Sequence, residues 1–166
     1  MEFITPYELN ENLFSLLDRE WMLITARDPE TGKINTMTAS WGGFGILWNK
    51  PVAFVFIRPQ RYTYEFTEKA DGMTLSFFSE EYRDALKLCG RTSGRDGDKI
   101  ANAGLTPKLL DGRASFEEVR MVMSCRKLYA DDLKESAFVD PALLSNYSAK
   151  DYHRMYIVEI EGIIKK

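Results

Sequence analysis

Several stretches of this chain place side chains that could do chemistry. The run Asn35-Thr36-Met37-Thr38-Ala39-Ser40-Trp41 sets hydroxyls and small side chains beside an indole, directly before Gly42-Gly43. Such a run suits the edge of a planar heterocycle. Small residues let the backbone close in, and peptide groups and hydroxyls read the donors and acceptors of the ring. It equally suits an ordinary Thr-rich strand with one face in water. Arg58-Pro59-Gln60-Arg61-Tyr62-Thr63 follows an apolar run and opens a helical pattern. Free N–H groups at a helix start, two guanidinium groups and a hydroxyl together suit a phosphate, or else form a capped helix with solvated arginines. Ser93-Gly94-Arg95-Asp96-Gly97-Asp98-Lys99 can clasp an anion or make a plain surface turn. His153, the single histidine, can move a proton or meet an anion near neutral pH, or simply be a hydrogen-bonded residue.

Other chemistries find no footing. The two cysteines, Cys89 and Cys125, have no Cys or His neighbour at metal-ligand spacing, so no metal site is expected and both read as reduced thiols. Cys125 suits a buried inert thiol, with Arg126 and Lys127 beside it keeping a reactive one open. There is no phosphate-binding P-loop, no dinucleotide glycine fingerprint and no hydrolase nucleophile elbow. A net charge of −3 argues against a nucleic-acid binder and against a polybasic membrane-surface protein. Met1 to Pro6 has neither a basic nor an apolar leader region, and the apolar runs are strand-sized, which gives the expectation of a cytoplasmic protein.

The elements that must position these groups follow from periodicity. With 166 residues, 45% apolar and 28% charged, the chain suits one soluble domain, 1–166. Aromatic residues, at 13%, promise a core rich in rings. Thr5-Pro6-Tyr7-Glu8 reads as a capping box opening a helix that runs through Leu9, Leu13, Leu16 and Leu17 to about Glu20. Trp21–Arg27 and Lys33–Trp41 read as strands joined by the turn-rich Asp28-Pro29-Glu30-Thr31-Gly32, with Gly42-Gly43 breaking the regularity. Val52–Arg58 reads as a strand covered on both faces. Tyr62–Lys69 reads as a helix, Met73–Ser79 as a strand, and Tyr82–Leu88 as a helix ended by Gly90. A helical turn at Asp98–Ala103, a long extended stretch at Phe116–Tyr129, an irregular region at Ala130–Asp151 and a last strand at Met155–Ile164 complete the pattern. At least six strands without regularly interleaved long helices predict an α+β, mainly antiparallel barrel rather than a βαβ sheet.

Taken in order, these segments resemble the flavin reductase-like FMN-binding family, and within it the flavoredoxin type. The resemblance runs from about Phe14 to the last strand. It is carried by Thr36–Trp41, by Ile57–Tyr64, by Cys89–Asp96 continuing through Asp98-Lys99 to Gly104-Leu105-Thr106-Pro107, by Cys125–Tyr129, and by Tyr152–Tyr156. It implies a split β-barrel with a few peripheral helices, non-covalent FMN, and a homodimer whose interface helps shape the flavin site. By position, Thr36, Thr38, Ala39, Ser40 and Trp41 would line the isoalloxazine edge. Arg58, Arg61 and Thr63 would hold the ribityl phosphate. Ser93, Arg95 and Lys99 would approach the cofactor, and His153 would sit near the reactive face of the ring as the candidate catalytic residue. The activity implied is an oxidoreductase that takes a hydride from NADH or NADPH and passes electrons through FMN to an unidentified acceptor. The rival activity is an FMN electron carrier with no nicotinamide reductase activity of its own, and a barrel that binds no flavin is the third.

Overall fold

The computed structural model describes residues Met1–Lys166. Ten strands carry the fold. They are β1 (Glu2–Ile4), β2 (Met22–Arg27), β3 (Ile34–Ala39), β4 (Gly42–Leu47), β5 (Lys50–Ile57), β6 (Gly72–Phe77), β7 (Pro107–Leu110), β8 (Arg113–Phe116), β9 (Met121–Asp132) and β10 (Arg154–Lys165). Eight of them make one sheet in the order β3-β2-β6-β9-β10-β5-β4, with β1 added to β10; β7 and β8 form a separate hairpin. Every pairing is antiparallel. The helices are short: α1 (Leu13–Ser15), α2 (Tyr62–Lys69), α3 (Arg83–Arg91) and α4 (Lys99–Asn102).

The sheet has two ends, β3 and β4, and they are consecutive in the chain. The sheet curls so that its inner face closes on one apolar cluster, leaving the split between those two ends. Register shifts between β9 and β10, at Ile157/Val158 and Ile160/Gly162, supply the local twist that two 12-residue strands need to coil. The inner cluster joins Met22, Ile24, Met73, Leu75, Met121, Met123, Cys125, Tyr156 and Val158, among others. The other face of β2, β6 and β9 is covered by α3, α4 and the β7–β8 hairpin around Leu23, Leu86, Cys89, Phe116 and Val122. Alternate residues of β2 therefore enter different cores, and Met22 to Ala26 are all buried.

The Asp28–Gly32 turn forms as its composition demands. The Asp28 carboxylate accepts from the Glu30 and Thr31 N–H groups, and β2 pairs with β3 in register from Met22–Ala39 to Arg27–Ile34. Helix α2 occupies the expected span.

Other expectations need correction. The first helix breaks up: Glu2–Ile4 pairs with β10, Pro6–Glu8 makes one 3-10 turn, and Asn12 caps α1 by accepting from Ser15 N–H. The chain then continues in wide turns over Leu16–Glu20, which drop Leu16 and Leu17 into the inner core. Gly42-Gly43 does not interrupt the sheet but begins β4. A Cβ on Gly42 would lie 2.7 Å from the Phe54 carbonyl oxygen, so glycine is what lets β4 approach β5. β5 is covered unevenly: Ala53, Val55 and Ile57 are buried on one face, whereas on the other Val52 is buried but Phe54 and Phe56 are half-exposed. α3 runs past Gly90 to Arg91, because the Lys99 ammonium donates to the Cys89 and Thr92 carbonyl oxygens near the helix end.

Candidate functional site

The residues singled out in the sequence gather around β3, the start of α2, the loop after α3, and the start of β10. A cavity of about 210 Å³ opens at the split, lined by Met37–Trp41, Phe56, Arg58, Arg61 and His153. A second, of about 520 Å³, is lined by Lys33, Asn35, Gly94, Arg95, Asp98 and Lys99 with apolar neighbours. β3 contributes to both. It pairs with β2 on one side and with no strand on the other, so it faces the ligand space as an open edge of peptide groups.

Side-chain alternation sorts the Thr-rich run. Thr36 is fully buried; its hydroxyl bonds to that of Thr25 at 2.8 Å and donates to the Ile24 carbonyl. It does not line either cavity, which corrects its expected place at the ring edge. Thr38 faces the same way, and its hydroxyl donates to the Leu86 carbonyl in α3 at 2.5 Å. Ala39, Ser40 and Trp41 line the cavity, with Trp41 52% exposed.

Arg61 stands at the N-cap of α2. Its Nη2 is buried and has no partner, and burial alone pushes its pKa down, with no acid offsetting it. Lys99 is 3% exposed and is held only by the two carbonyl oxygens. Burial lowers its pKa to about 8, with Cys89 opposing and Arg61 adding to the shift. A buried ammonium and a half-buried guanidinium with one unpartnered buried nitrogen, near enough for Arg61 to lower the Lys99 pKa and with no carboxylate bonded to either, form a site short of negative charge. An anion such as a phosphate monoester fits that shortage, and the helix start adds free N–H groups.

Arg58 and Thr63, expected at the phosphate, and Ser93 and Arg95, expected near the cofactor, are each already bonded within the chain. The Arg58 guanidinium is paired with Asp151 at 2.6 Å, donates to the Asn146 carbonyl and lies over the Tyr147 ring, so its charge is already matched. The Thr63 hydroxyl accepts from Asn35 Nδ2 at 2.9 Å and is buried. The Ser93 hydroxyl accepts from the Arg95 N–H within its own loop. Arg95 stacks on Tyr62, donates to the Gln60 carbonyl and pairs with Glu65. Gly94 lies so close to Asn35 that a Cβ there would sit 2.2 Å from Asn35 Oδ1.

His153 is 7% exposed and packs against Trp41 and Phe56, with ring centroids at 5.5 and 6.2 Å. Its Nδ1 lies 2.7 Å from the Tyr147 hydroxyl. Burial and the nearby Arg58 lower its pKa to about 4, against the pull of Asp151, so the ring is neutral at physiological pH. The cysteines stay out of the site. Both are buried, and burial pushes both thiols up, away from thiolate.

Sequence reasoning passed over Asn35 as a ligand-space residue, and also Met37, Phe56, Tyr147 and Asp151. Asn35 and Met37 lay inside the Thr-rich run, and the period of two along β3 would have selected them. Tyr147 sits in the 3-10 stretch Pro141–Tyr147, where no periodicity marks a role.

A family model described as a flavin reductase like domain matches residues 14–164. The chain belongs to the flavin reductase-like family. Solved structures agree on the split-barrel fold. Flavoredoxin of Desulfovibrio vulgaris (Miyazaki F) is 20% identical with a TM-score of 0.69, covering 98% of this chain and 77% of that one. The FMN-binding protein from Thermus thermophilus with bound p-hydroxybenzaldehyde is 18% identical with a TM-score of 0.67, covering 98% and 82%. Nitrilotriacetate monooxygenase component B from Bacillus cereus is 17% identical with a TM-score of 0.69, covering 99% and 81%. Comparison with curated protein sequences returned no match. No helix of this flavin reductase-like chain is long and apolar enough to cross a membrane.

Proposed function

We propose that this flavin reductase-like chain is a cytoplasmic, FMN-dependent oxidoreductase that takes reducing equivalents from NADH or NADPH and delivers them to an acceptor not yet identified. The observation that carries the flavin part is the pair of cations bonded to no carboxylate, the half-buried Arg61 with its unpartnered buried Nη2 and the buried Lys99, near the open β3 edge. Arg61, Lys99 and the first N–H groups of α2 hold the phosphate. The peptide edge at Thr38–Trp41 orients the ring, and Trp41 and Phe56 supply apolar walls that keep water away from it. When bound, FMN supplies the hydride chemistry at its N5 atom, which no side chain of this protein can perform. Donors fixed around the ring favour the charge that builds on reduction. Ser93, Arg95 and Gly94 set the course of the loop between α3 and α4, and Asn35 ties it through Thr63 to α2.

The β4 end of the sheet supports a homodimer. Ile46, on the edge strand β4, is 60% exposed, and Trp41 and Trp48, which flank that strand, are 52% and 54% exposed; β4 pairs with β5 alone. Ile46→Arg is expected to give a monomer by light scattering, and a flavin affinity that falls with it if the partner completes the site.

The deciding experiment is the visible spectrum of the purified protein before and after FMN addition and desalting. Flavin bands that survive desalting support the reading, and a protein colourless in both states ends it. Oxidation of NADH and NADPH, followed at 340 nm with FMN present, then separates a reductase from an electron carrier. The absence of a dinucleotide glycine fingerprint favours the carrier as the second reading.

A further inference from the structure

The imidazole of His153 is held from one side only. Its Nδ1 meets the Tyr147 hydroxyl at 2.7 Å, while Nε2 makes no hydrogen bond within the chain, and the ring lines the 210 Å³ cavity. A neutral imidazole has one N–H and one bare nitrogen, and the partner at one position decides the other. Tyr147 stays protonated, since burial pushes its pKa up, with Arg58 opposing and Asp151 adding to the shift. A phenol is a good donor and a poor acceptor, so it gives its proton to Nδ1 and leaves the imidazole proton on Nε2. Tyr147 is itself fixed. The Arg58 guanidinium lies 5.0 Å from its ring centre and is held by Asp151, which also accepts from Gln60. Phe138 and Tyr152 pack on its ring.

We infer that Tyr147 sets the tautomer of His153, and that His153 Nε2–H is the neutral donor to a carbonyl oxygen on the planar ring that occupies the cavity. The walls support this class of ligand. Trp41, Phe56 and Met37 are apolar, so a flat ring is favoured, and His153, the residue just before β10, offers this uncharged N–H. A cation finds no carboxylate in the cavity lining, and an anion is better served by Arg61. Tyr147 is a positioning residue in this arrangement, acting through His153. The carbonyl can belong to the flavin ring or to a second planar carbonyl compound. The first source rests on the FMN reading and the second does not.

The single histidine makes the test direct. Protein labelled with 15N-histidine gives one imidazole, and long-range 1H–15N correlations at pH 7 report which nitrogen carries the proton. Nε2–H with a hydrogen-bonded bare Nδ1 is the expected state; a proton on Nδ1 overturns the inference before any ligand is added. FMN is then titrated with its occupancy read independently from the visible spectrum, and benzaldehyde is titrated into samples with and without FMN. Movement of the Nε2 signal with FMN assigns the carbonyl to the flavin, and movement only with benzaldehyde assigns it to a second compound. An unmoved Nε2 signal under both, in a sample whose absorbance proves flavin bound, overturns the inference while leaving the FMN reading intact. If no flavin binds, the FMN reading falls and the benzaldehyde arm alone decides. Tyr147→Phe is expected to shift the Nδ1 signal and weaken the ligand that moves Nε2 by about three- to tenfold, the scale of one neutral hydrogen bond. His153→Gln, which keeps a neutral donor, should recover more of that affinity than His153→Leu.

Discussion

Two groups of charges sit within reach of α2, and they are built on opposite terms. At its C-terminal end, Glu68 accepts from Arg154 Nε at 2.7 Å and from the Tyr156 hydroxyl at 2.5 Å, Arg154 also reaches Asp132, and Thr67 donates to the Tyr156 oxygen. Burial pushes the Glu68 carboxyl up, but the bonds from Tyr156 and Arg154 outweigh it and hold it below its usual range. At the N-terminal end, Lys99 is buried and Arg61 half-buried with its Nη2 unpartnered, and neither is bonded to an acid. A folded chain satisfies its buried charges unless something from outside does so. The paired cluster is scaffold; the unpaired one is where we propose that a ligand completes the protein.

The sharpest way to break this contrast is to exchange the consequences of mutation. Arg61→Ala is expected to raise the FMN dissociation constant about 100-fold, the scale of a lost charge-assisted contact. Its melting temperature should not fall, because the substitution removes a half-buried charge that no acid in the free protein pairs. A lower melting temperature with unchanged affinity would make Arg61 scaffold instead. Tyr156→Phe should do the reverse, costing about 1–2 kcal/mol in chemical denaturation by removing a bond to Glu68 and one from Thr67, with FMN affinity unchanged.

A pH series sharpens the comparison further. Lys99 titrates at about 8 in the folded protein against an ordinary value of 10.5. FMN affinity should therefore fall as pH rises through about 8, by up to roughly tenfold per unit for one linked proton. The free protein should respond oppositely. Between about 8 and 10.5 the unfolded chain binds the proton that the folded chain has released, so this group makes stability rise with pH over that window. Lys99→Met should flatten both curves. The smallest effect is expected at Gly94→Ala, where the new Cβ must displace the Asn35 amide and loosen its bond to Thr63. A loss of a few-fold in affinity with an unchanged melting temperature would confine that contact to the ligand side.

Local pattern was legible in the sequence and long-range pairing was not. Helix α2 and the β2–β3 hairpin follow from a helix-start signal and a turn whose Asp28 carboxylate caps its own backbone. The barrel closure depends on β4 lying beside β5, and Gly42-Gly43 hid it. The feature that looked like a break is a close approach between strands. At the candidate site, Arg61 and Lys99 stood out in the sequence because cations at a helix start and in a glycine-rich loop are local signals. Thr36 was misplaced because residue type was weighed above strand parity; its neighbours Asn35 and Met37 face the ligand space. Tyr147 could not be read at all, since its importance is a contact six residues away across an irregular turn.

The sulfur atoms of the core have a bearing on how long such a protein lasts. A protein that handles electrons in air works beside peroxide of its own making, and thioether and thiol groups are what peroxide attacks first. Met22, Met73, Met121 and Met123 are buried, as are Cys89 and Cys125. Sulfur that water cannot touch is shielded from peroxide as well. The sulfur left open to attack is then at Met1, at Met37 in the cavity lining and at Met155, which is half-exposed two residues past His153.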